Sequence, residues 1–310
     1  MGSDFSGRVF RMILLIDKPR GITSFGVVST VRKALSKYEG KVKVGHSGTL
    51  DPICTGVLPI LIGKDTKLLP FLPSGKAYRA EILLGVETDT EDITGTILCE
   101  REVSASFDDV VFAARRFLGK IIQIPPMYSA IKVNGKKLYD FARKGIDVER
   151  KGREVTVFSL NVFPSEKKNI YELEVVCSAG TYIRTLCSDI GRELGCGACM
   201  ASLRRTVSNG FKVEDAIPLE FAKRIIEDGG TSKIAISSED VFDVEKVFLP
   251  KNGEKYYLNG GAISQDRLLL KKEYEGKREG ILRVYTSDSI FCGIGKAENG
   301  EVRPLVNYLK

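Results

Sequence analysis

One carboxylate in this chain sits where the backbone is already constrained. Asp51 lies within GHSGTLDPICTGVLPI, residues 45–60, a stretch holding three glycines and two prolines in sixteen residues. Glycine is costly inside helices and strands, and proline lacks the donor that both need. The stretch therefore reads as a shaped loop rather than a helix or an inner strand. Pro52 pushes Asp51 towards extended geometry. His46, the single histidine, stands five residues earlier. An acid so placed could close an Asx turn on its own backbone. It could equally act alone as a covalent nucleophile or a base. In an apolar pocket it would need a cation to stay ionised, and Arg184, at a change from strand to helix pattern, is a candidate partner.

Other chemistries find little support. The acids nearest to Asp51 in sequence are Glu39 and Asp65, so no paired carboxylate is evident. A lone histidine without a nucleophile elbow does not make a Ser-His-Asp triad. Phosphate-loop and dinucleotide fingerprints are absent. Cys196-x-x-Cys199 has metal-ligand spacing, but no second pair or histidine cluster accompanies it.

The elements that must position Asp51 can be read in order. Met12 to Ile16 suits a short strand, and Asp17 to Gly21 a turn. Thr23 or Ser24 can cap a helix with Val27, Val28, Val31, Ala34 and Leu35 as its apolar face. Val57 to Ile62 is a buried run, Tyr78 to Val86 a strand, and Thr94 to Leu98 another, with an acidic, Thr-rich loop between the last two. Ser106 and Asp109 suit a capping box before a helix whose stripe is Val110, Val111, Ala114, Phe117 and Leu118. Residues 123–145 interleave Lys132, Lys136, Lys137, Arg143 and Lys144 with Tyr128, Tyr139 and Phe141. That mixture can hold unstacked nucleic acid, or form a basic surface hairpin with its aromatics inside. Tyr171 to Cys177 alternates as a strand, and Ile183, Leu186, Ile190 and Leu194 form a helix stripe with Arg184 on the first turn. Pro218 opens a further helix. Residues 229–243 read as a linker. Beyond them, Tyr256–Leu258, Leu268–Leu270, Ile281–Tyr285 and Ile290–Gly293 suggest a small all-β barrel.

The 310 residues are enough for two domains, and the net charge of +7 permits a polyanionic partner without requiring one. Seven cysteines, no secretory signal and no long apolar span point to a reduced, cytoplasmic protein without a membrane segment.

The stretch around Asp51 is similar to the catalytic motif of the bacterial tRNA pseudouridine-55 synthases, the TruB family. It is joined in the family's order by LIDKPRGITS (15–24), KAYRA (76–80), PPMYSAIK (125–132), GTYIR (180–184) and LRRT (203–206). The resemblance spans about residues 12–230, and the tail resembles a PUA domain in position and texture. It implies an α+β pseudouridine synthase fold, with a central mixed, mainly antiparallel sheet flanked by helices, plus a small all-β PUA-like barrel. The implied catalytic domain is 1–236, with an RNA-gripping insertion at about 123–150, and the RNA-binding domain is 237–310. The implied activity is isomerisation of a flipped-out uridine in the tRNA T-loop, with no cofactor, metal, guide RNA or protein partner, by a monomer.

Residue by residue, the resemblance makes Asp51 the nucleophile or base and Arg184 the cation that keeps it ionised. Tyr78 would stack on the flipped uracil and take the C5 proton. His46 would fill the gap left in the base stack, since flipping costs a few kcal/mol unless something replaces the base. Tyr182 would line the pocket, Leu203 would pack under the base, and Lys18 and Pro19 would shape the wall. Gly45, Thr49 and Lys132 would contact RNA. Two rivals remain: a non-catalytic RNA-binding protein, and a guide-dependent relative of the box H/ACA type.

Overall fold

The computed structural model describes residues 11–129, 131–133, 135–146, 148–269 and 279–309. The first apolar run forms β1 (Arg11–Lys18), with Ile13, Leu14, Leu15 and Ile16 all buried, as suits a strand covered on both faces. α1 (Ser24–Glu39) is capped by the Thr23 hydroxyl, which accepts from Gly26 N at 2.9 Å, and it buries the five apolar residues its period predicts.

β2 (Val44–His46) and β3 (Thr55–Gly63) then correct one expectation. Both ends of the glycine- and proline-rich stretch are strand, and only Ser47–Cys54 is loop. β3 is an inner strand despite Pro59. The Pro59 carbonyl accepts from Ser47 N at 3.1 Å, just past the β2–β3 ladder that ends at His46↔Ile60. Its missing N–H therefore faces a place where the partner strand has run out. Gly56 (φ 108°) is needed for close approach, because a Cβ there would lie 2.2 Å from the Arg205 carbonyl oxygen.

β4 (Lys76–Leu84) and the hairpin β5 (Val86–Thr88) with β6 (Ile97–Glu100) follow. β6 starts three residues later than expected because Thr94 is held in a turn, its N–H donating to the Asp92 carboxylate at 2.9 Å. α2 (Phe107–Arg115) has the expected capping box but buries Val110, Ala113 and Ala114; it stops before Leu118, which is exposed. β7 (Gly119–Gln123) leads into the insertion, where β8 (Lys132–Val133), β9 (Lys136–Lys137) and α3 (Leu138–Ala142) make a small hairpin and one helical turn. Arg143 lies over the Tyr139 ring at 5.5 Å, and both Tyr139 and Phe141 are half-buried. β10 (Arg153–Pro164), β11 (Ile170–Cys177), α4 (Ile183–Glu193), β12 (Ala198–Ser208) and α5 (Leu219–Glu227) complete this part.

The main sheet runs Ile217–Pro218, β1, β3, β12, β4, β11, β10, β7, with β2 beside β3. Most neighbours are antiparallel; Ile217–Pro218 on β1 and the two-residue β3–β12 pairing are parallel. α1 and α5 pack with β1 and β3 in one core, while α2 and α4 pack with β4, β11 and β12 in another.

The C-terminal part forms a five-stranded sheet ordered Lys246–Phe248, Gly280–Tyr285, Phe291–Glu298, Glu301–Asn307, Ile263–Ser264. Tyr256–Leu258, expected as strand, belongs to the short helix Glu254–Leu258, with Tyr257 buried and Tyr256 exposed. Three apolar residues are too few to distinguish the two periods. Leu269 makes a single bridge to Phe248, and Leu270 lies outside the described residues. The stretch 229–243 is not a loose tether. Ile13 and Ile236 exchange backbone hydrogen bonds of 3.1 and 2.8 Å, and Phe242 is buried. Phe248, Tyr285, Phe291 and Tyr308 share a core with Ile13, Leu15, Val57 and Leu61, so the two sheets are packed together.

Candidate active site

The loop Ser47–Cys54 emerges at the seam of the sheet, where β3 meets β12 in the register Arg204↔Thr55 and Arg205↔Gly56. Ser24 pins it by donating to Leu50 O at 2.9 Å and accepting from Leu50 N at 2.7 Å. Lys18, fully buried, holds it from below: its ammonium donates to Pro19 O (2.9 Å), Ile22 O (2.7 Å) and Pro52 O (3.4 Å). Gly21 N also donates to Pro52 O, at 2.7 Å. Within the loop, Cys54 N donates to the Asp51 main-chain carbonyl at 3.0 Å. The turn is closed by Asp51 backbone, which leaves the carboxylate free for another partner.

That partner is Arg184. Its position on the first turn of α4 is unfavourable for a cation in the helix field, so the surroundings must hold it. Nη2 lies 3.1 Å from Asp51 Oδ2 and donates to Tyr128 O at 2.8 Å; Nη1 donates to Thr90 O at 2.8 Å and lies 3.7 Å from Asp92 Oδ2. Asp92 is buried, and its Oδ1 accepts from the Thr90 hydroxyl at 3.0 Å as well as from Thr94 N. One guanidinium thus bridges two carboxylates, a pairing that distance along the sequence concealed. Asp92, Thr90 and the Tyr128 carbonyl were missed. The usable signal was the alternation of threonines and acids over 87–94, in which the Thr90 and Thr94 hydroxyls donate to the buried Asp92 carboxylate and the Thr88 hydroxyl to its main-chain carbonyl. Burial raises the Asp51 carboxyl above its ordinary value; Arg184 and Lys18 pull it down and Asp92 pushes it up.

Asp51 faces a cavity of about 210 Å³ walled by Thr49, Cys54, Tyr78, Tyr182, Leu203 and Arg184 among others. Tyr78 comes from β4 and Leu203 from β12, which are neighbours in the sheet. Burial pushes the Tyr78 hydroxyl up to about 12, opposed by the adjoining Arg205 guanidinium. Tyr182 precedes α4, and Gln123 of β7 fixes its backbone by accepting from its N–H (3.0 Å) and donating to its carbonyl (3.2 Å).

The remaining candidates lie apart from this wall. His46 ends β2, half-buried, and its Nδ1 accepts from Gly48 N at 3.2 Å. Burial, then Arg205 and Lys76, lower its pKa, so the ring stays neutral. Gly45 precedes it in β2. The Lys18 ammonium turns inward beneath the loop and Pro19 is exposed; neither belongs to the cavity wall. Lys132 is placed by its backbone in β8, and its side chain lies outside the described residues. Among the described residues no group of three or more His, Cys, Asp or Glu side chains could hold a metal ion.

A carboxylate held by a buried guanidinium, facing a pocket walled by two tyrosines and a leucine, suits chemistry on one flat ring. Among solved structures the chain resembles that of a Cbf5–Nop10–Gar1 complex, with TM-score 0.66 and 29% identity over 92% of this chain and 78% of that one. Fold and site define a pseudouridine synthase. Residues 32–183 match the profile of the TruB family pseudouridylate synthase N-terminal domain, 184–230 that of the tRNA pseudouridylate synthase B C-terminal domain, and 246–306 that of the pseudouridine synthase II TruB C-terminal domain. The chain is 43% identical to tRNA pseudouridine synthase B of Clostridium acetobutylicum over 91% of its own length and 94% of the relative's. It is 53% identical to that of Alkaliphilus oremlandii over 67% and 68% respectively. It belongs to the TruB family of pseudouridylate synthases.

Proposed function

We propose that this protein converts the uridine at position 55 of the tRNA T-loop to pseudouridine, with Asp51 as the single catalytic carboxylate. The observation that carries this reading is the Asp51–Arg184 pair opening into the tyrosine-walled cavity. The reaction exchanges the bond from uracil N1 to ribose C1′ for one from C5 to C1′; C5 loses a proton and N1 gains one. No atom or electron is gained overall, so one group that attacks or removes a proton is sufficient in principle. Asp51 does so at the glycosidic carbon or at the uracil ring, and Arg184 keeps it ionised and aimed.

Tyr78 and Leu203 sandwich the extruded base, and Tyr182 closes the side of the pocket. The Tyr78 hydroxyl rests protonated, so it takes the C5 proton only after passing its own proton to N1, as a phenolate that the adjoining Arg205 guanidinium holds. His46, neutral and planar, takes the place of the flipped base in the loop stack. Gly45, Thr49 and Lys132 contact the RNA. The insertion, 123–150, grips the RNA, and the unit 237–310 adds backbone contacts that position without specifying. The reaction takes place in the cytoplasm, by a monomer, on free tRNA. The seven free cysteines fit a reducing compartment.

The test is release of tritium from C5 of a labelled T-stem-loop, with Asp51→Asn alongside and neither guide RNA nor protein partner present. Release by the wild type and none by the variant is expected. No release by the wild type overturns the reading, and activity only with an added guide moves the protein to the guide-dependent class.

A further inference from the structure

The same cavity is lined by one cation, and backed by a second, that no carboxylate neutralises. Lys76, the first residue of β4, lines it. A Cβ placed on Gly48 (φ 151°) would lie 2.7 Å from Lys76 Nζ and 3.5 Å from Arg205 Nη1. Both cations therefore crowd the one loop position that has no side chain. Arg205 is fully buried. Its Nε donates to Val57 O at 2.9 Å and its Nη2 to Gly48 O at 3.1 Å, and the guanidinium also shares a side-chain hydrogen bond with Tyr78, but Nη1 is buried without a hydrogen-bond partner of normal geometry. The groups that bear electrostatically on Lys76 are Arg205 and the Cys177 thiol, and those on Arg205 are Tyr78 and Cys54. Among the described residues neither cation has a carboxylate within ion-pair distance. His46, two residues before Gly48, also feels both.

A desolvated cation with no anion is costly, and an unsatisfied buried donor calls for a cause. Position in the chain supplies one, given the function proposed above. Gly48 stands between His46, which holds the stack, and Asp51, which meets the flipped base. The RNA backbone has to pass from one to the other, and the anion that every nucleotide step carries is its phosphodiester.

We propose that Lys76, backed by Arg205 and given room by Gly48, binds a phosphodiester oxygen adjoining the flipped nucleotide. Lys76 is then a positioning residue: it fixes where the backbone crosses the loop and so where C1′ arrives at Asp51. Because the ammonium is already partly desolvated and has no acid to leave, it meets phosphate without first breaking an ion pair.

The test uses the full chain, a T-stem-loop RNA, and the same RNA carrying a neutral methylphosphonate on either side of the target uridine. Lys76→Met is expected to weaken binding about tenfold or more and to reduce the slope of log K against log salt by about one contact. Lys76→Arg, which keeps the charge, restores most of both. One of the two methylphosphonates weakens wild-type binding and adds nothing in Lys76→Met. Lys76→Gln replaces the Met variant if its melting temperature drops sharply. The inference is overturned if Lys76→Met leaves affinity and salt slope unchanged, or if both methylphosphonates cost as much in the variant as in the wild type. It is also overturned if kcat alone falls, because the ammonium would then act on the base. A wild type that binds through Lys76 but releases no tritium sinks the proposed function and leaves the phosphate site standing; a wild type that does not bind RNA sinks both.

Discussion

Two buried arginines, one lining the cavity and one behind its Tyr78 wall, are treated in opposite ways. Arg184 is surrounded by acceptors: two carboxylates and two main-chain carbonyls. Arg205 has two carbonyls, a tyrosine beside it, an idle Nη1 and a second cation in Lys76. Burial alone would make both expensive. The difference is that Arg184 is complete without substrate, and its task is to hold Asp51. The Arg205 corner is incomplete until an anion arrives. Closed electrostatics thus holds the attacking carboxylate, and open electrostatics awaits charge that comes with the substrate.

The comparison breaks first at Asp51. Asp51→Asn is expected to lower tritium release by at least about 10³-fold while RNA affinity stays within a few-fold, because the attacking group goes but the recognition corner does not. Residual turnover within tenfold of wild type would mean that the pair is structural.

Arg184→Met comes next. It strands two carboxylates, one of them buried, and is expected to cost about 3–5 kcal/mol of stability along with most of the activity. Thermal unfolding and tritium release check the two losses separately. Asp92→Asn is milder, since Arg184 keeps Asp51 and both carbonyls. These two variants also sharpen the comparison through pH. Asp51 must be ionised to act, and burial raises its pKa above 3.8, so activity falls with acid at a higher pH than for an ordinary carboxylate. Arg184 lowers that pKa and Asp92 raises it. The acid limb of kcat/KM therefore moves to higher pH in Arg184→Met and to lower pH in Asp92→Asn. Limbs that coincide in all three proteins would assign them to another group.

The two arginines also show what the sequence made legible. Asp51, Arg184, Tyr78, Tyr182 and Leu203 were found because each lies in a short motif whose spacing is local, and the strands and helices carrying them were read from period and caps. Asp92 and the Tyr128 carbonyl were not. They reach Arg184 from a hairpin and from the foot of the insertion, through contacts that only the seating of the hairpin on β12 at Met200 and the Gln123–Tyr182 hydrogen bonds bring about. Lys18 was seen, but its direction was not: an ammonium satisfied by three carbonyls under a loop has the same sequence as one on a pocket wall. Pro59 inside β3 was misjudged because propensity ignores where a neighbouring strand ends. The helix at Tyr256 was hidden because its apolar run is shorter than one turn.

Gly48→Ala tests the open corner with a smaller effect. A methyl group at that point meets Lys76 Nζ, and the backbone there lies at φ 151°. The ammonium, being the end of a flexible chain, gives way first. RNA affinity is expected to fall less than in Lys76→Met, and the double variant Gly48→Ala/Lys76→Met to fall no further than Lys76→Met alone. Additive losses would mean that Gly48 acts through loop shape and not through the lysine.

The smallest effect is at His46, on the edge of the open corner. Burial and the cations Arg205 and Lys76 lower its pKa below 6.5 in the folded protein. The unfolded chain takes up this proton near 6.5, and the folded chain only at lower pH. Folding is therefore unpenalised above 6.5 and loses stability as pH falls from there, until the folded ring protonates too. His46→Phe keeps a flat ring for the base stack and removes the titration. It is expected to bind the T-stem-loop within about threefold of wild type and to lose less stability than wild type between pH 6.5 and 5. His46→Ala, lacking the ring, is expected to bind more weakly at every pH. If Phe and Ala behave alike in binding, the imidazole contacts RNA through its nitrogens; if Phe shows the wild-type acid loss, the titrating group lies elsewhere. Either result would redraw the border between the closed and open halves of the cavity, because a histidine that is charged when RNA binds would belong with Lys76 and Arg205 as a third ligand for phosphate.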